Sequence, residues 1–516
     1  LPHWNSALST AGFSLKRISA TDIVAGLLIL ALGSGLMPVF SDPGTGWHLR
    51  TGRLILETGS IPIHDLFLSP PAGLPWINDQ WLGDVVFGLV ELIFGLNGVF
   101  IFIIGVCSLS YFVLLRKLIE KRTHSLSIAT IVFLMASLSA SVQFICRPLV
   151  FSMLLLVVLH FILLRDLHSE RLSRVLYLLV LPLLFLVWAN LHGAFTLGLF
   201  LLGLFFFHRV VDAYPRRIEM WETLVLGAMS GLLSAVATLI NPWGIGLWRS
   251  VLGLASSRYF MNLNTEWLPL DVYSPVFTAP LILILLLLFT PRPAGCYRRH
   301  CYEFIATVVF IALSLIHRRY MVFLPIVLAP LLTSLASAGL TTFQINRVGP
   351  LAKLIKADFA ISSRFFKPEG GMIITIVAFV VMSAAVACGY QERLRGFTAS
   401  YPKKIVDHLR ATGAKGGDAI FATPDLGGYI IYQLWPDYRV YIDDRNQLIG
   451  EERYRKYFDV IGMRSGWRDT LASTDAEFAI LGEESPLAKF LLREDRGWRK
   501  EFQDEGSRNI LFRKID

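Results

Sequence analysis

Eleven long apolar stretches, separated by short polar connectors, leave this chain few folds to adopt. They lie near 22–41, 96–115, 126–146, 149–164, 175–190, 194–208, 222–241, 275–291, 302–316, 320–337 and 371–389. A helix needs roughly 20 apolar residues to cross a bilayer, and residues 23–40 carry no charge over such a length. Backbone polar groups in hydrocarbon must bond within their own segment, so spans of this kind predict helices. Composition agrees, at 54% hydrophobic and 17% charged, against about 25% charged in soluble domains. The predicted fold class is an α-helical polytopic membrane protein with about 11 transmembrane helices. The spans at 149–164 and 194–208 are short, so their ends are the least defined. Residues 23–40 are too long for a signal-peptide core and lack a small-residue cleavage site, so they read as a retained helix.

The net charge of +9 would suit a nucleic-acid partner, but its placement argues against one. The basic residues form short clusters between apolar spans. The connectors alternating from the N-terminal one, with Lys16, Arg17, Arg116, Lys117, Lys121 and Arg122 among them, hold twenty Lys and Arg against seven in the others. The positive-inside rule then predicts a cytoplasmic N-terminus and a C-terminal tail on the outside. The five cysteines show no metal-ligand spacing, and most lie in or beside apolar spans, so no disulfide framework is expected. No GxxxxGKS/T or GxGxxG run precedes a plausible helix, which gives nucleotide sugars and ATP no support.

Two regions depart from the repeating span-and-connector pattern. The first outer loop, 42–95, holds a Pro-rich middle (Pro62, Pro70, Pro71, Pro75). It then places Trp81, Leu82, Val85, Val86, Leu89 and Val90 at helical spacing, with Asp79, Asp84 and Glu91 interleaved. That pattern fits a helix lying in the interface; a plain loop anchor is the alternative. After Cys388 the spans stop. Runs at 419–422, 438–442, 478–481 and 509–512 read as strands, and 401–412, 426–434 and 485–494 as helices. The predicted division is a transmembrane domain over 1–389 and a soluble extracytoplasmic α/β domain over 390–516. Gly427 and Gly428 suggest a tight turn ahead of a helix, and Asp443, Asp444 and Arg445 follow a strand end, where loops carry binding residues. For this domain an acceptor-binding surface, a lid and a structural cap all remain open.

The unusual polar residues collect at the predicted outer helix ends. DPGTGWHLRTG carries Asp42, His48 and Arg50; PWINDQWL carries Asp79; FICRPLVFS carries Arg147; WANLHGAF carries His192. EWLPLD adds Glu266, and LIHRRYMVF adds Arg318 and Arg319. Ionisable groups near membrane depth are costly and point to function. Each also has a structural reading. Asp42 is equally suited to capping the next segment or pairing with Arg50, His48 to an interfacial position beside Trp47, and Arg147 with Pro148 to a turn. His192 reads more readily as a hydrogen-bonding helix end than as a metal ligand. Arg318 and Arg319 lie on the outer side against the charge rule, and two guanidiniums there suit a phosphate or diphosphate.

With these motifs in place, the chain resembles the GT-C superfamily of polytopic glycosyltransferases. It is also similar to a group of uncharacterised bacterial membrane proteins through GWHLRTGRLILETGSIPIHDLF, PWINDQWL, RPLVFS, WANLHGAF, NPWG and VYIDDRN. The resemblance implies a bacterial inner (cytoplasmic) membrane protein. It implies transfer of a sugar from a polyprenyl-phosphate-linked donor, on the extracytoplasmic side, to an envelope glycan, lipid or protein. Carried over, Asp42 is the catalytic carboxylate, and Arg147, Arg318 and Arg319 hold the lipid phosphate. His48, Arg50, Asp79, His192 and Glu266 complete the substrate-binding set. The family pattern often has a second acid two residues after the first, and here that position is Gly44. A divalent ion, Mg or Mn, stays open, with Asp79 or Glu266 as its second carboxylate. Other readings are a non-catalytic scaffold with a membrane-protein partner, and a transporter, which the missing internal symmetry disfavours.

Overall fold

The computed structural model of the chain describes residues 19–33, 39–70, 73–293, 295–346, 371–388, 401–413, 417–493 and 497–515. Lys16, Arg17, the basic residues between 347 and 367, and the expected domain boundary near 389 lie outside them. Among the described residues, a helix stands at each of the eleven apolar positions. Four are long and apolar enough to cross a membrane by length and composition: Trp81–Glu120, Leu149–Asp166, Phe195–Ala213 and Arg217–Ala237. The shorter apolar helices are Ala20–Ala31, Leu126–Ser141, Leu176–Leu191, Pro275–Phe289, Cys301–Ile316, Leu324–Gly339 and Ile374–Ala387.

Helix α1 (Ala20–Ala31) opens on a reciprocal cap, in which Ser19 Oγ accepts from Asp22 N–H and the Asp22 carboxylate accepts from Ser19 N–H. Asp22 also pairs with Arg116 at 2.8 Å, so buried charges at this end of the bundle are neutralised. The chain then turns through Val39 and Phe40 into α2 (Thr45–Thr58), which the sequence reading left inside the outer loop. It ends at Gly59, whose φ of +67° gives the left-handed C-cap a glycine tolerates.

Two glycines let α2 lie directly on its neighbours. A Cβ on Gly52 would stand 1.8 Å from the Asp84 carbonyl oxygen of α3 (Trp81–Cys107). One on Gly46 would stand 2.0 Å from the Gly428 carbonyl oxygen. Helix α3 is interrupted at Gly95, with φ 65° and ψ −170°. The break falls where the outer loop was expected to hand over to the span beginning at 96.

Residues 401–515 build a five-stranded sheet with flanking helices. Its strands are β1 (Asp418–Phe421), β2 (Tyr438–Val440), β3 (Ala476–Gly482), β4 (Trp498–Asp504) and β5 (Asn509–Lys514), in the order β2-β1-β3-β5-β4. β2, β1 and β3 run parallel, while β5 is antiparallel to β3 and β4. β4 and the helices Asn446–Ile461 and Trp467–Ala472 had no counterpart in the sequence reading. The outer edge of β2 is not left open: Val440 N–H donates to the Phe67 carbonyl and Ser69 N–H to the Val440 carbonyl. The outer loop thus covers a sheet edge. Gly427 and Gly428 do not form a turn. They sit inside the helix Pro424–Leu434, where a Cβ would meet the Ile442 carbonyl oxygen at 2.5 Å and the Pro43 carbonyl oxygen at 2.1 Å.

Candidate functional site

The helix ends near residue 42, the outer loop and the β2–helix connection of the C-terminal unit enclose two cavities. The larger, of about 730 Å³, is lined by Trp47, His48, Trp76, Asp79, Arg147, His192, Arg249, Arg319, Asp444 and Arg445 among others. The smaller, of about 470 Å³, is lined by Asp42, Arg147, Glu266, Asp425, Asp444, Tyr454 and Tyr457 among others. Arg147, Asn264, Asp444 and Asn446 line both and so form the partition between them.

Arg147 is placed by stitching between distant segments. Cys146 N–H donates to the Val39 carbonyl at 2.7 Å, and Thr45 Oγ1 donates to the Cys146 carbonyl at 3.2 Å. This holds the Arg-Pro turn against the end of the first apolar segment. Arg147 Nη1 then lies 2.7 Å from Glu266 Oε1 and 3.4 Å from Asp42 Oδ2. Burial opposes charge on this guanidinium, yet Asp42, Glu266 and Asp444 together raise its pKa. Burial likewise disfavours the charge on Glu266, but Arg147 and Arg319 outweigh it and hold that carboxyl below its usual range. Asp42 is buried, and its Oδ1 accepts from Gly44 N–H at 2.8 Å. Its ionic partner is therefore Arg147, not Arg50.

Two histidines face the larger cavity with their tautomers constrained. His48 Nδ1 lies 2.6 Å from Asp84 Oδ1, and Asn78 Nδ2 donates to the other oxygen of that fully buried carboxylate at 2.7 Å. His192 Nδ1 accepts from Ala194 N–H at 3.2 Å and lies 2.9 Å from Ser152 Oγ, which itself accepts from Trp188 Nε1. An acceptor Nδ1 puts the proton of a neutral ring on Nε2. Burial and the nearby Arg319 and Arg147 push the His192 pKa well down, so the neutral form persists. Asp79 borders the same cavity, and burial raises its pKa. Arg319 lies over the Trp267 ring at 4.2 Å.

Seven of the residues singled out in the sequence surround the two cavities: Asp42, His48, Asp79, Arg147, His192, Glu266 and Arg319. Arg50 and Arg318 do not. Arg50 pairs with Glu57 at 3.7 Å and lies over the Trp435 ring at 4.5 Å. Arg318 lies over Phe277 at 5.9 Å.

The sequence reading missed Arg249, Asn264 and Asn446, and it read Asp443, Asp444 and Arg445 as a loop of the kind that carries binding residues, without a place in a site. Asp444 Oδ1 accepts from Trp47 Nε1 at 2.9 Å. Arg445 bonds Asp443 at 2.6 Å and Asp65 at 2.8 Å, amid the rings of Trp76, Phe67 and Trp47. Among the described residues no three His, Cys, Asp or Glu side chains gather in a metal-ligating group. Asp42 instead pairs with Arg147 at 3.4 Å and accepts a backbone N–H from Gly44.

This architecture, a multi-helix body whose helix ends and outer loop carry a small α/β unit, is shared with solved structures of known proteins. The chain matches no protein-family model and no curated protein sequence. Its solved structural neighbours include the archaeal oligosaccharyltransferase AglB from Archaeoglobus fulgidus, in complex with an inhibitory peptide and a dolichol-phosphate. That likeness has a TM-score of 0.55 at 11% identity, over 89% of this chain and 69% of the other. A structure of the oligosaccharyltransferase of the same organism with Zn and sulfate matches with TM-score 0.53 at 12% identity, over 89% and 67%. ArnT from Cupriavidus metallidurans, bound to undecaprenyl phosphate, matches with TM-score 0.50 at 13% identity, over 96% and 97%. At these identities the likeness defines the fold.

Proposed function

We propose that the chain is an integral-membrane glycosyltransferase that takes a sugar from a polyprenyl-phosphate-linked donor. The observation that carries this reading is the meeting of Asp42 with Arg147 at 3.4 Å, on the partition between a larger cavity rich in Arg and His and a smaller one rich in carboxylates. A scaffold has no need for that convergence. The neighbours solved with dolichol-phosphate and undecaprenyl phosphate support the donor class.

In this reading the apolar helices of 1–389 span the bacterial inner membrane, with the N-terminus cytoplasmic. Residues 390–516 form the extracytoplasmic unit. The donor phosphate occupies the larger cavity, against Arg147 and Arg319, with the Nε2–H of His192 as a further donor. The acceptor, on an envelope glycan, lipid or protein, approaches through the smaller one. Its hydroxyl or amine attacks the anomeric carbon and passes its proton to Asp42. The bond from that carbon to the phosphate oxygen breaks, and the lipid phosphate leaves with the electron pair and a charge that the guanidiniums stabilise. His48, oriented by Asp84, and Asp79 position the sugar.

The test is sugar transfer in membranes supplied with radiolabelled polyprenyl-linked sugars, comparing the native chain with Asp42→Asn. Turnover that falls at least about 100-fold in the variant is the expected result for loss of a general base. Unchanged turnover removes Asp42 from the chemistry. No turnover by the folded native chain with any lipid donor overturns the transferase reading in favour of the scaffold.

A further inference from the structure

We propose that Asp444 is the second carboxyl of the reaction centre, delivered by the C-terminal unit past Gly44 to the partition between the two cavities, where it contacts the reacting groups opposite Asp42. The inference rests on the transferase reading of this site. Its geometric basis is the point at which a side chain on residue 44 would begin. A Cβ there would lie 2.9 Å from Asp42 Oδ1, 3.0 Å from Asp444 Oδ2 and 3.0 Å from Trp47 Nε1. Glycine at 44 therefore lets two carboxyl groups, one from each part of the chain, approach the same point.

Asp444 also lines both cavities, as the partition residue must if it is to touch groups arriving from either side. Its aim is fixed at both ends. Trp47 Nε1 holds Oδ1, and the neighbouring Arg445 is locked to Asp443 and Asp65, which leaves Oδ2 directed toward Gly44.

Two ionised carboxylates so close would repel each other and an incoming phosphate. The surroundings resolve that conflict. Burial, with Asp42 and Asp443 beside it, pushes the Asp444 carboxyl up to about 8, against the opposing pull of Arg147 and the Trp47 indole. Held as the neutral acid, Asp444 donates a hydrogen bond to an oxygen of the sugar or the acceptor. No net proton is spent by Asp444 in the transfer; the proton released by the nucleophile goes to Asp42.

The experiment combines activity with a stability cycle on the full-length protein in detergent. Asp444→Ala, which removes a hydrogen-bond donor to the reacting groups, is expected to lower kcat at least about 100-fold while leaving KM for the lipid donor nearly unchanged. Asp444→Asn, which keeps a neutral donor, is expected to recover most of that loss. An Ala variant as active as the native chain overturns the proposal, as does an Asn variant as inactive as Ala.

The cycle pairs Gly44→Ala with Asp444→Ala in thermal unfolding. Gly44→Ala should cost stability in the native background and less once the Asp444 side chain is gone; strict additivity overturns the placement. If the native chain turns over no donor, the transferase reading falls and the chemical role of Asp444 with it. The cycle still reports separately whether the two positions share their space.

Discussion

Arg147 stands between Asp42 and Glu266, and its short contact goes to Glu266, at 2.7 Å against 3.4 Å. Glu266 thus takes the short contact and shares the guanidinium charge with Asp42, which Arg147 reaches at the longer distance. Across Gly44 the opposite condition holds at Asp444, where burial and two neighbouring carboxylates favour the neutral acid. This makes a prediction about stability. In the unfolded chain Asp444 ionises near pH ~4, whereas folded it keeps its proton to about 8. The folded state binds the extra proton between those values, so the contribution of Asp444 to native stability falls as pH rises across that window and is level outside it. Asp444→Asn has nothing to titrate there. Its stability relative to native should rise through the window, by on the order of a few kcal/mol, and then level off. Thermal unfolding in detergent at a series of pH values checks this; a difference independent of pH would show that Asp444 ionises normally. At this scale the sequence was informative where residue type and helix-end position coincided. It misplaced Arg50 because residues two apart on a helix point to different faces, so α2 turns Arg50 away from the cavity that His48 lines. It could not pair Asp444 with Asp42, because that meeting depends on how two distant parts of the chain dock.

Apolar helices were legible because hydrocarbon admits little else, and the break in α3 at Gly95 falls where the outer loop was expected to meet the span at 96. Helix α2 was not legible. It is short, polar along much of its length and punctuated by glycines, which read locally as loop residues although here they create backbone contact. That contact gives a contrast between three glycines. Gly52→Ala should cost about 2–4 kcal/mol, because its Cβ would stand 1.8 Å from a carbonyl oxygen and α2 and α3 would have to part. Gly46→Ala should cost a similar amount, at 2.0 Å from the Gly428 carbonyl oxygen. Gly59→Ala meets no atom within 4 Å and carries only the left-handed backbone penalty, about 1 kcal/mol. Equal effects at all three, measured by thermal unfolding, would refute close backbone packing of α2. Strand β4, WRKEFQD, escaped notice for another reason: its mostly polar side chains leave too little apolar alternation to mark a strand, and its pairing with β5 provides the register instead.

The C-terminal unit and the helical body are joined beside the proposed reaction centre, and Arg445 is the joint. It takes Asp443 from its own unit and Asp65 from the outer loop, at 2.6 and 2.8 Å, with all three side chains buried. The rings of Trp76, Phe67 and Trp47 surround it at 4.7, 5.2 and 5.8 Å. Tyr432 adds a hydrogen bond to Glu91 on α3, and Trp435 one to the Leu66 carbonyl. Removing the guanidinium alone would strand two buried carboxylates, so Arg445→Met should cost about 3–5 kcal/mol. Replacing the whole triad, with Asp65→Asn and Asp443→Asn added to Arg445→Met, removes the stranded charge and should restore most of that stability, since an apolar side chain suits an aromatic cage. Activity should not follow stability. In the proposed centre Asp444 depends on the adjacent Arg445 for its direction toward Gly44, so the triple variant should unfold near the native temperature and still transfer sugar poorly. Recovery of both properties together would mean that Arg445 only fastens the two parts. Recovery of stability alone would make the ionic triad the device that aims Asp444 at Asp42.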